Sequence, residues 1–587
     1  MCGVLVAFAK KGQLNQEYCE KASKKIFSRG PDFNFSRFEM SNRLFLSQTV
    51  LSITGKPELN LEYAKSKNNR YEILFNGEIY NFKKLQEEYL DKKELYNLSG
   101  SDTETVINLH QVLEPIQVRK IIEGMFTYVV YDNEEKKLVI SRDIIGEKVL
   151  YQYEDENLLV ISSQLGPILE IVKDLKINKK TLKKYFYTRH LLTQKETVFE
   201  KVSVFQPGDT LEINLLNCDK KIIDSEKLSD LVDIQIIKDC YKKSDDEILD
   251  MTHNTFKYNA EFLTPESSFY SVVSGGIDSS LVSKYLDSSS KIDPKYICLQ
   301  FPGKDEVASN VEEFEKYLRN NIEQVNVSID LFQNYIEECY NSICMPLPTH
   351  SFISQAILAR NVNKNGAKIL FTGDGGDELF GGYEFYKSIN FNEKYSFNPS
   401  VYSGIFNQGV RFKNFDINEI SQESNIEWIS TLKNYEDFDS IESNIHSILL
   451  LDTKIQLESV GIRASDTMSM MSSVESRGFF LTKNILKLAL NLPANKKILI
   501  NNNSVETRPL MKNLFLKNFD KYLLKPKQGF SGFPNESMKR LINNFNITKE
   551  YLDIEEFEKL DLENNLALEW KFLNVEYFLK NFLGNAK

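Results

Sequence analysis

The sequence is poor in the residues that build metal cages and covalent cross-links. It has five histidines among 587 residues, and no two are spaced as a zinc site requires. Its seven cysteines are Cys2, Cys19, Cys218, Cys240, Cys298, Cys339 and Cys344. They are odd in number, scattered, and never form a CxxC pair. That excludes a disulfide framework and predicts reduced thiols, as in a cytoplasmic protein. No window approaches about 20 continuous apolar residues, so no membrane span is expected. The apolar part of the opening run MCGVLVAFAKKG is too short for a signal peptide, and no basic segment precedes it. Basic excess is also lacking: the formal net charge is −11, which argues against nucleic acid as a partner.

The chain is too long for one compact core, so at least two domains are expected. With 42% hydrophobic and 26% charged residues, it has the composition of a folded globular protein. Short alternating segments crowd the first part: Val4–Ala9, Arg43–Val50, Arg70–Phe75, Phe126–Tyr131 and Lys137–Ser141 read as strands. Helical patterns at Leu85–Leu90 and Thr103–Val112 lie between them, so residues 2–210 are expected to form an α+β domain closed by the turn Pro207-Gly208-Asp209. The charged stretch within 211–245 reads as a linker. Over 246–587 short apolar strands (Ser268–Val273, Tyr296–Phe301, Lys368–Thr372) alternate with helical patterns (Ser279–Leu286, Val311–Asn321, Ser354–Asn363). This predicts an α/β domain with a parallel sheet, mainly helical from Ser440 on.

Chemistry-bearing residues occur in both halves. Trimming of the initiator methionine leaves Cys2 first in the chain, where its own α-amine, titrating near about 8, serves as general base for the thiol. Asn76 and Gly77 end a strand and offer a side-chain amide and an unhindered N–H, the donors an oxyanion hole needs. Arg29-Gly30-Pro31-Asp32 sets a charged pair on a turn, and Gly100-Ser101-Asp102 offers a carboxylate able to hold an ammonium group. In the second half, Ser274-Gly275-Gly276-Ile277-Asp278-Ser279-Ser280 joins a strand to a helix. Its glycines let backbone N–H groups approach phosphate, and Ser279 and Ser280 add donors. No Gly-Lys-Ser/Thr ending makes it a Walker loop. Thr372-Gly373-Asp374-Gly375-Gly376-Asp377-Glu378 crowds three carboxylates onto a second loop, an arrangement suited to a hard cation.

The first set of motifs resembles the glutaminase domain of class II glutamine amidotransferases, which are N-terminal-nucleophile hydrolases of αββα architecture. Phe75–Asn81 and Ser141-Arg142-Asp143 through Gly146 and Lys148 resemble the asparagine synthetase branch. The second set resembles the PP-loop of ATP pyrophosphatases, and Asp466–Met470 and Lys525–Phe530 continue the likeness. The resemblance implies that Cys2 attacks the glutamine amide while Asn76 and Gly77 hold the oxyanion. Leu51, Ser52, Ile53, Glu78 and Asp102 match glutamine-binding positions. Val272, Ser274, Gly275, Gly276, Asp278, Ser279, Ser280, Leu299, Thr372 and Gly373 match ATP-binding positions. Asp278 and Asp377 would hold Mg2+, Asp374 stands at the catalytic carboxylate, and Lys527 would neutralise phosphate charge. Implied substrates are glutamine, aspartate or another carboxylate, and ATP; a homodimer stays open. Three positions depart from the family pattern: Val50 replaces an arginine that takes the substrate carboxylate, Val149 replaces a proline and Gln164 a glutamate. Glu475–Thr482 lacks the usual proline and final aspartate. Two other readings remain. One is amidation of a different carboxylate, such as a sugar acid or a secondary-metabolite precursor, motivated by Gly478–Thr482 and by His350 within Pro348–Ser351. The other is a decayed glutaminase half, motivated by Val50.

Overall fold

The computed structural model describes residues 2–55, 64–188, 195–301, 308–389, 391, 409–416, 426–501, 504–525 and 532–584. The chain divides into two units. One gathers Met1–Ile177, Lys195–Lys227 and Asp466–Glu475; the other gathers Asn178–Gln194, Leu228–Ser465 and Ser476–Lys587.

The first unit is a sandwich of two antiparallel sheets. β1 (Cys2–Ala9), β2 (Phe33–Glu39), β3 (Leu44–Val50), β7 (Tyr151–Glu154), β8 (Leu158–Ser162) and β9 (Val202–Val204) form one sheet. β4 (Tyr71–Ile79), β5 (Gly124–Asp132), β6 (Lys137–Arg142), β10 (Asp209–Asn214) and β11 (Lys220–Ser225) form the other. Alternate residues of each strand face the middle layer. Val4, Val6 and Phe8 of β1 and Leu44 and Leu46 of β3 meet Leu74 of β4, Val129 and Tyr131 of β5 and Ile140 of β6. The opposite face of the second sheet, with Ile73, Phe75 and Val130, is covered by Val106 and Ile107 of α2 (Asp102–Leu109) and Val118 of α3 (Pro115–Ile121). α1 (Gln16–Lys25) and α4 (Leu165–Ile171) pack on each other and on the first sheet. The order is helix, sheet, sheet, helix, as expected. β1 is buried at all eight positions because both its faces are covered, which is why it reads as a continuous apolar run.

Three expectations meet a different structure. Pro207-Gly208-Asp209 is not the last turn of this sandwich, since β10 and β11 follow it and complete the second sheet. The stretch expected as a linker therefore holds two strands and a helix, Ile234–Cys240. β11 escapes a pattern reading because it is an edge strand open to water, with no buried residue to set a period of two. Lys179–Tyr187, which lies inside 2–210, belongs to the second unit, where Tyr185 donates its hydroxyl to the Leu347 carbonyl at 2.9 Å.

The second unit is built on β12 (Tyr270–Val272), β13 (Lys295–Gln300), β14 (Ile322–Asn326), β15 (Ile369–Thr372) and β16 (Glu475–Gly478), in the order β14-β13-β12-β15-β16. Pairings of β12 with β13 and β15, and of β13 with β14, are parallel. α5 (Asp245–Leu263) packs on α6 (Ile277–Ser289), and α6 packs on β12 and β15. α7 (Ile329–Ile343) packs on α8 (Ser351–Lys364). The expected helix at Val311–Asn321 is a 3-10 stretch, Ala308–Tyr317, that stops before β14. A short helix, α9 (Gly376–Phe380), follows β15, and after Ser440 the unit is mainly helical, ending in α10 (Leu566–Gly584). Among the described residues no helix is long and apolar enough to cross a membrane.

Candidate active sites

Cys2 opens β1, opposite Val50 of β3, and is buried. Its main-chain nitrogen donates to Oδ1 of Asn76 at 3.0 Å. That bond turns the amide so that Nδ2 is left buried with no hydrogen-bond partner among the described residues. A buried N–H without an acceptor is costly, and a developing oxyanion would satisfy it. Gly77 follows with φ +152°, and a Cβ there would stand 2.0 Å from the Met125 carbonyl oxygen, so only glycine fits.

The cavity at Cys2 is lined by Gln48, Val50, Ser52, Gly77, Glu78 and Asp102, among others. Leu51 and Ile53 also line it, and Ser52 is held through its N–H to Asp32 Oδ2 at 2.8 Å, which is the use the Arg29–Asp32 turn makes of its aspartate. Asp102 stands at the start of α2. Its carboxylate accepts from the Ile79 N–H and its own neighbour Thr103 N–H, both at 2.8 Å. Burial pushes its acidity weaker than usual, against those two hydrogen bonds, and the Glu475 charge adds to the rise. Glu78 and Asp102 thus make an acidic end suited to an ammonium group. No lysine or arginine lines the cavity among the described residues. Arg29, the cation beside Cys2, donates to the Cys2 carbonyl and pairs with Asp466. Arg37, in β2, and Arg43, just before β3, lie farther along the sheet and are also engaged: Arg37 pairs with Glu72, and Arg43 donates to the carbonyls of Ala9 and Lys10 at 3.2 Å. The Arg142-Asp143 motif is scaffolding. Arg142 ties the carbonyls of Gly146, Lys148 and Phe205. Asp143 accepts from the N–H groups of Gly146 and Glu147, and from that of Phe126, whose register partner is Gly77.

In the second unit the two loops leave the carboxyl ends of adjacent parallel strands, β12 and β15, the place where open α/β sheets bind ligands. Ser274 and Ser279 close the first loop, hydroxyl to hydroxyl, at 2.8 Å, and Gly275 takes φ +79°. Ser280, expected to face phosphate, lies one step further round α6; its hydroxyl is buried with no partner among the described residues. Val272, Leu299 and Thr372 line up at the ends of β12, β13 and β15. Gly376 opens α9, and a Cβ on it would stand 2.8 Å from the Asp278 carboxyl carbon, so the second loop's glycine makes room for the first loop's aspartate. Asp374 accepts from the Thr372 hydroxyl at 2.8 Å and from the Ser465 hydroxyl. Glu378 is buried against the Tyr383 hydroxyl; burial and the Asp377 charge weaken it as an acid and push its pKa up to about 8.

Arg508 is a residue of this site that the sequence reading missed. One guanidinium nitrogen donates to Asp278 at 2.8 Å and to Asp377 at 3.2 Å, bringing together the two carboxylates expected to hold Mg2+. Although burial opposes its charge, the two aspartates raise its basicity further. Its backbone is left-handed, φ 46° and ψ 49°, and the signal was no more than an arginine before a proline at a helix start. Among the described residues no group of three or more histidines, cysteines or carboxylates forms a metal site. Two carboxylates that already share one cation fit Mg2+ arriving with a nucleotide, which takes few protein ligands and keeps its waters and phosphate oxygens.

Lys527 lies outside the described residues. His350 stands at the residue before α8, with no capping hydrogen bond from its side chain to the helix, and faces the Trp570 ring edge-on at 6.3 Å. The Phe479 and Phe480 rings pack on Phe256, and Thr482 donates to Asn259 at 2.5 Å, so the atypical segment serves the core.

A buried cysteine at the start of β1 with a spare buried amide donor beside it on a two-sheet sandwich, followed by a glycine-serine loop on a parallel sheet, is the arrangement of a glutamine amidotransferase joined to a synthetase domain. Comparisons with known proteins agree. Residues 1–221 match the glutamine amidotransferase domain and residues 267–561 match asparagine synthase. The chain belongs to the asparagine synthase family and is a carbon–nitrogen ligase. Asparagine synthetase [glutamine-hydrolyzing] 1 of Bacillus subtilis is 24% identical over 536 residues, covering 85% of this chain and 82% of its own. A putative asparagine synthetase [glutamine-hydrolyzing] 2 of Methanocaldococcus jannaschii is 26% identical, covering 65% and 76%. Asparagine synthetase B [glutamine-hydrolyzing] of Escherichia coli is 24% identical, covering 67% of each chain.

Proposed function

We propose that the chain is a glutamine-dependent asparagine synthetase that turns aspartate, ATP and glutamine into asparagine, AMP, pyrophosphate and glutamate. The observation that carries the reading is Cys2 bound through its own nitrogen to Asn76, with the Asn76 Nδ2 donor left over beside it. The Cys2 α-amine takes the thiol proton. The thiolate attacks the glutamine amide carbon, and Asn76 Nδ2 with the Gly77 N–H holds the oxyanion. Glu78 and Asp102 hold the substrate ammonium. The protonated α-amine then returns its proton to the amide nitrogen, collapse expels ammonia and leaves a glutamyl thioester, and water hydrolyses the thioester to glutamate. In the second unit the Ser274–Ser279 loop cradles phosphate, and the aspartate side-chain carboxylate attacks the α-phosphorus, releasing pyrophosphate. Mg2+ held by Asp278 and Asp377 would screen the phosphate charge. Asp374 takes a proton from ammonia as it displaces AMP from the acyl-adenylate.

The test is pyrophosphate release with ATP and either glutamine or ammonium, with and without aspartate. Release that needs aspartate and yields asparagine is expected. Release that needs a different carboxylate would move the assignment to another acceptor within the family.

A further inference from the structure

The nucleophile of the first unit, on the reading proposed above, is the first residue of the trimmed chain. A chain end is held on one covalent side only and frays unless something ties it down. Beyond its pairing with β3, two bonds tie Cys2: its nitrogen to Asn76, and its carbonyl oxygen, which accepts from Arg29 Nε at 3.0 Å. Arg29 is fully buried. A guanidinium in that position holds its geometry only if a counter-charge is fixed beside it.

That counter-charge comes from the far end of the sequence. Asp466 Oδ2 lies 2.9 Å and Oδ1 3.1 Å from Arg29 Nη2, and Lys148 Nζ lies 3.5 Å from the same Oδ1. All three side chains are buried, so the carboxylate is shared by two cations that have no access to water. Other residues of the Asp466–Glu475 segment meet the residues around Cys2. Ser473 donates its hydroxyl to the Ser28 carbonyl at 2.6 Å. Met470 packs with Leu51 and Ile53, which line the cavity. Glu475 adds its charge to that facing Asp102.

We propose that Asp466 is a positioning residue of the Cys2 centre: it orients Arg29, and Arg29 fixes the main-chain carbonyl of the nucleophile and with it the amine and the thiol. The glutamine site is then completed by a segment more than 400 residues away in sequence from the cysteine it serves.

The experiment uses the full chain. Asp466→Asn keeps the shape and removes the charge; Arg29→Met removes the other half of the contact. Two quantities are read: glutamate release from glutamine, and the rate at which a diazoketone analogue of glutamine labels Cys2, located by peptide mass. Misplacing a reacting group by about 1 Å can cost ~100-fold in rate. Both kcat and the labelling rate of Asp466→Asn are therefore expected to fall ~100-fold, with KM for glutamine within about threefold and the melting temperature nearly kept. The double variant should be no slower than Arg29→Met alone, because the two side chains act through one contact. Unchanged kcat and labelling in Asp466→Asn overturns the proposal. So do losses that add in the double variant and track the melting temperature, since those describe a purely structural pair. A wild-type chain that neither hydrolyses glutamine nor is labelled at Cys2 instead overturns the reading of Cys2 as nucleophile, and this proposal falls with it.

Discussion

Val50 shows how much one side chain decides. It sits across the sheet from Cys2, on the cavity wall, where an alkyl group offers a carboxylate nothing. A charge-assisted hydrogen bond contributes roughly 1.5–3 kcal/mol, so its absence weakens glutamine binding by about ten- to a hundredfold. The wild type is expected to show a high glutamine KM, with ammonium a competitive nitrogen source. Val50→Arg should lower that KM and leave the ammonium reaction alone. A glutamine titration of both proteins decides it, and a wild-type KM that is low and unmoved by the substitution defeats the expectation. Arg508 is the counterpart in the second unit. Arg508→Met leaves Asp278 and Asp377 facing each other without their shared cation, and breaking a buried pair typically costs ~3–5 kcal/mol. Urea unfolding monitored with and without Mg2+ should show that loss, and partial recovery when the metal is present. Asp278→Asn and Asp377→Asn should each abolish pyrophosphate release while leaving the fold intact.

At the scale of elements, β4 carries Asn76 and Gly77, and β5 runs closely against it at Gly77. Gly77→Ala places a methyl group 2.0 Å from the Met125 carbonyl, so the two strands must part. A loss of ~1–3 kcal/mol or more is expected, together with glutaminase activity, measured by thermal melting and glutamate release. In the second unit Lys497 is buried at the end of a short helix, Ala494–Lys497, with its amine on the Ala489 carbonyl at 3.0 Å and near His446 Nδ1 at 3.2 Å. Burial pushes it from the ordinary 10.5 down to about 7. Between those values the folded chain binds fewer protons than the unfolded one. The contribution of this group is full above the ordinary lysine range and is lost as pH falls through about 7, with a slope of at most ~1.4 kcal/mol per pH unit. Lys497→Met should flatten the dependence of melting temperature on pH between about 7 and 9; an identical slope in both proteins would falsify this assignment.

At the scale of the whole molecule, the two chemistries belong to separate compact units, and that separation predicts a clean dissection. Cys2→Ala should abolish glutamine-dependent synthesis and spare synthesis from added ammonium, measured as pyrophosphate and asparagine formed; equal loss of both would count against two independent sites. What the sequence alone determined was local. The Ser274–Ser280 loop, the Asp374–Glu378 loop and the Asn76-Gly77 donors were legible because each is a run of neighbours whose chemistry needs no partner from elsewhere. The alternation of strands and helices, and with it both fold classes, was legible for the same reason, since period and turn chemistry are properties of short windows. The tertiary structure alone decided which distant charges meet. Asp466 lies 437 residues from Arg29, and Arg508 lies 230 from Asp278, so no window contains either pair. It also decided that Lys179–Tyr187 and Asp466–Glu475 fold with the units they do, and that β11 is a strand. In each case long-range pairing and burial, which no local pattern encodes, selected the outcome.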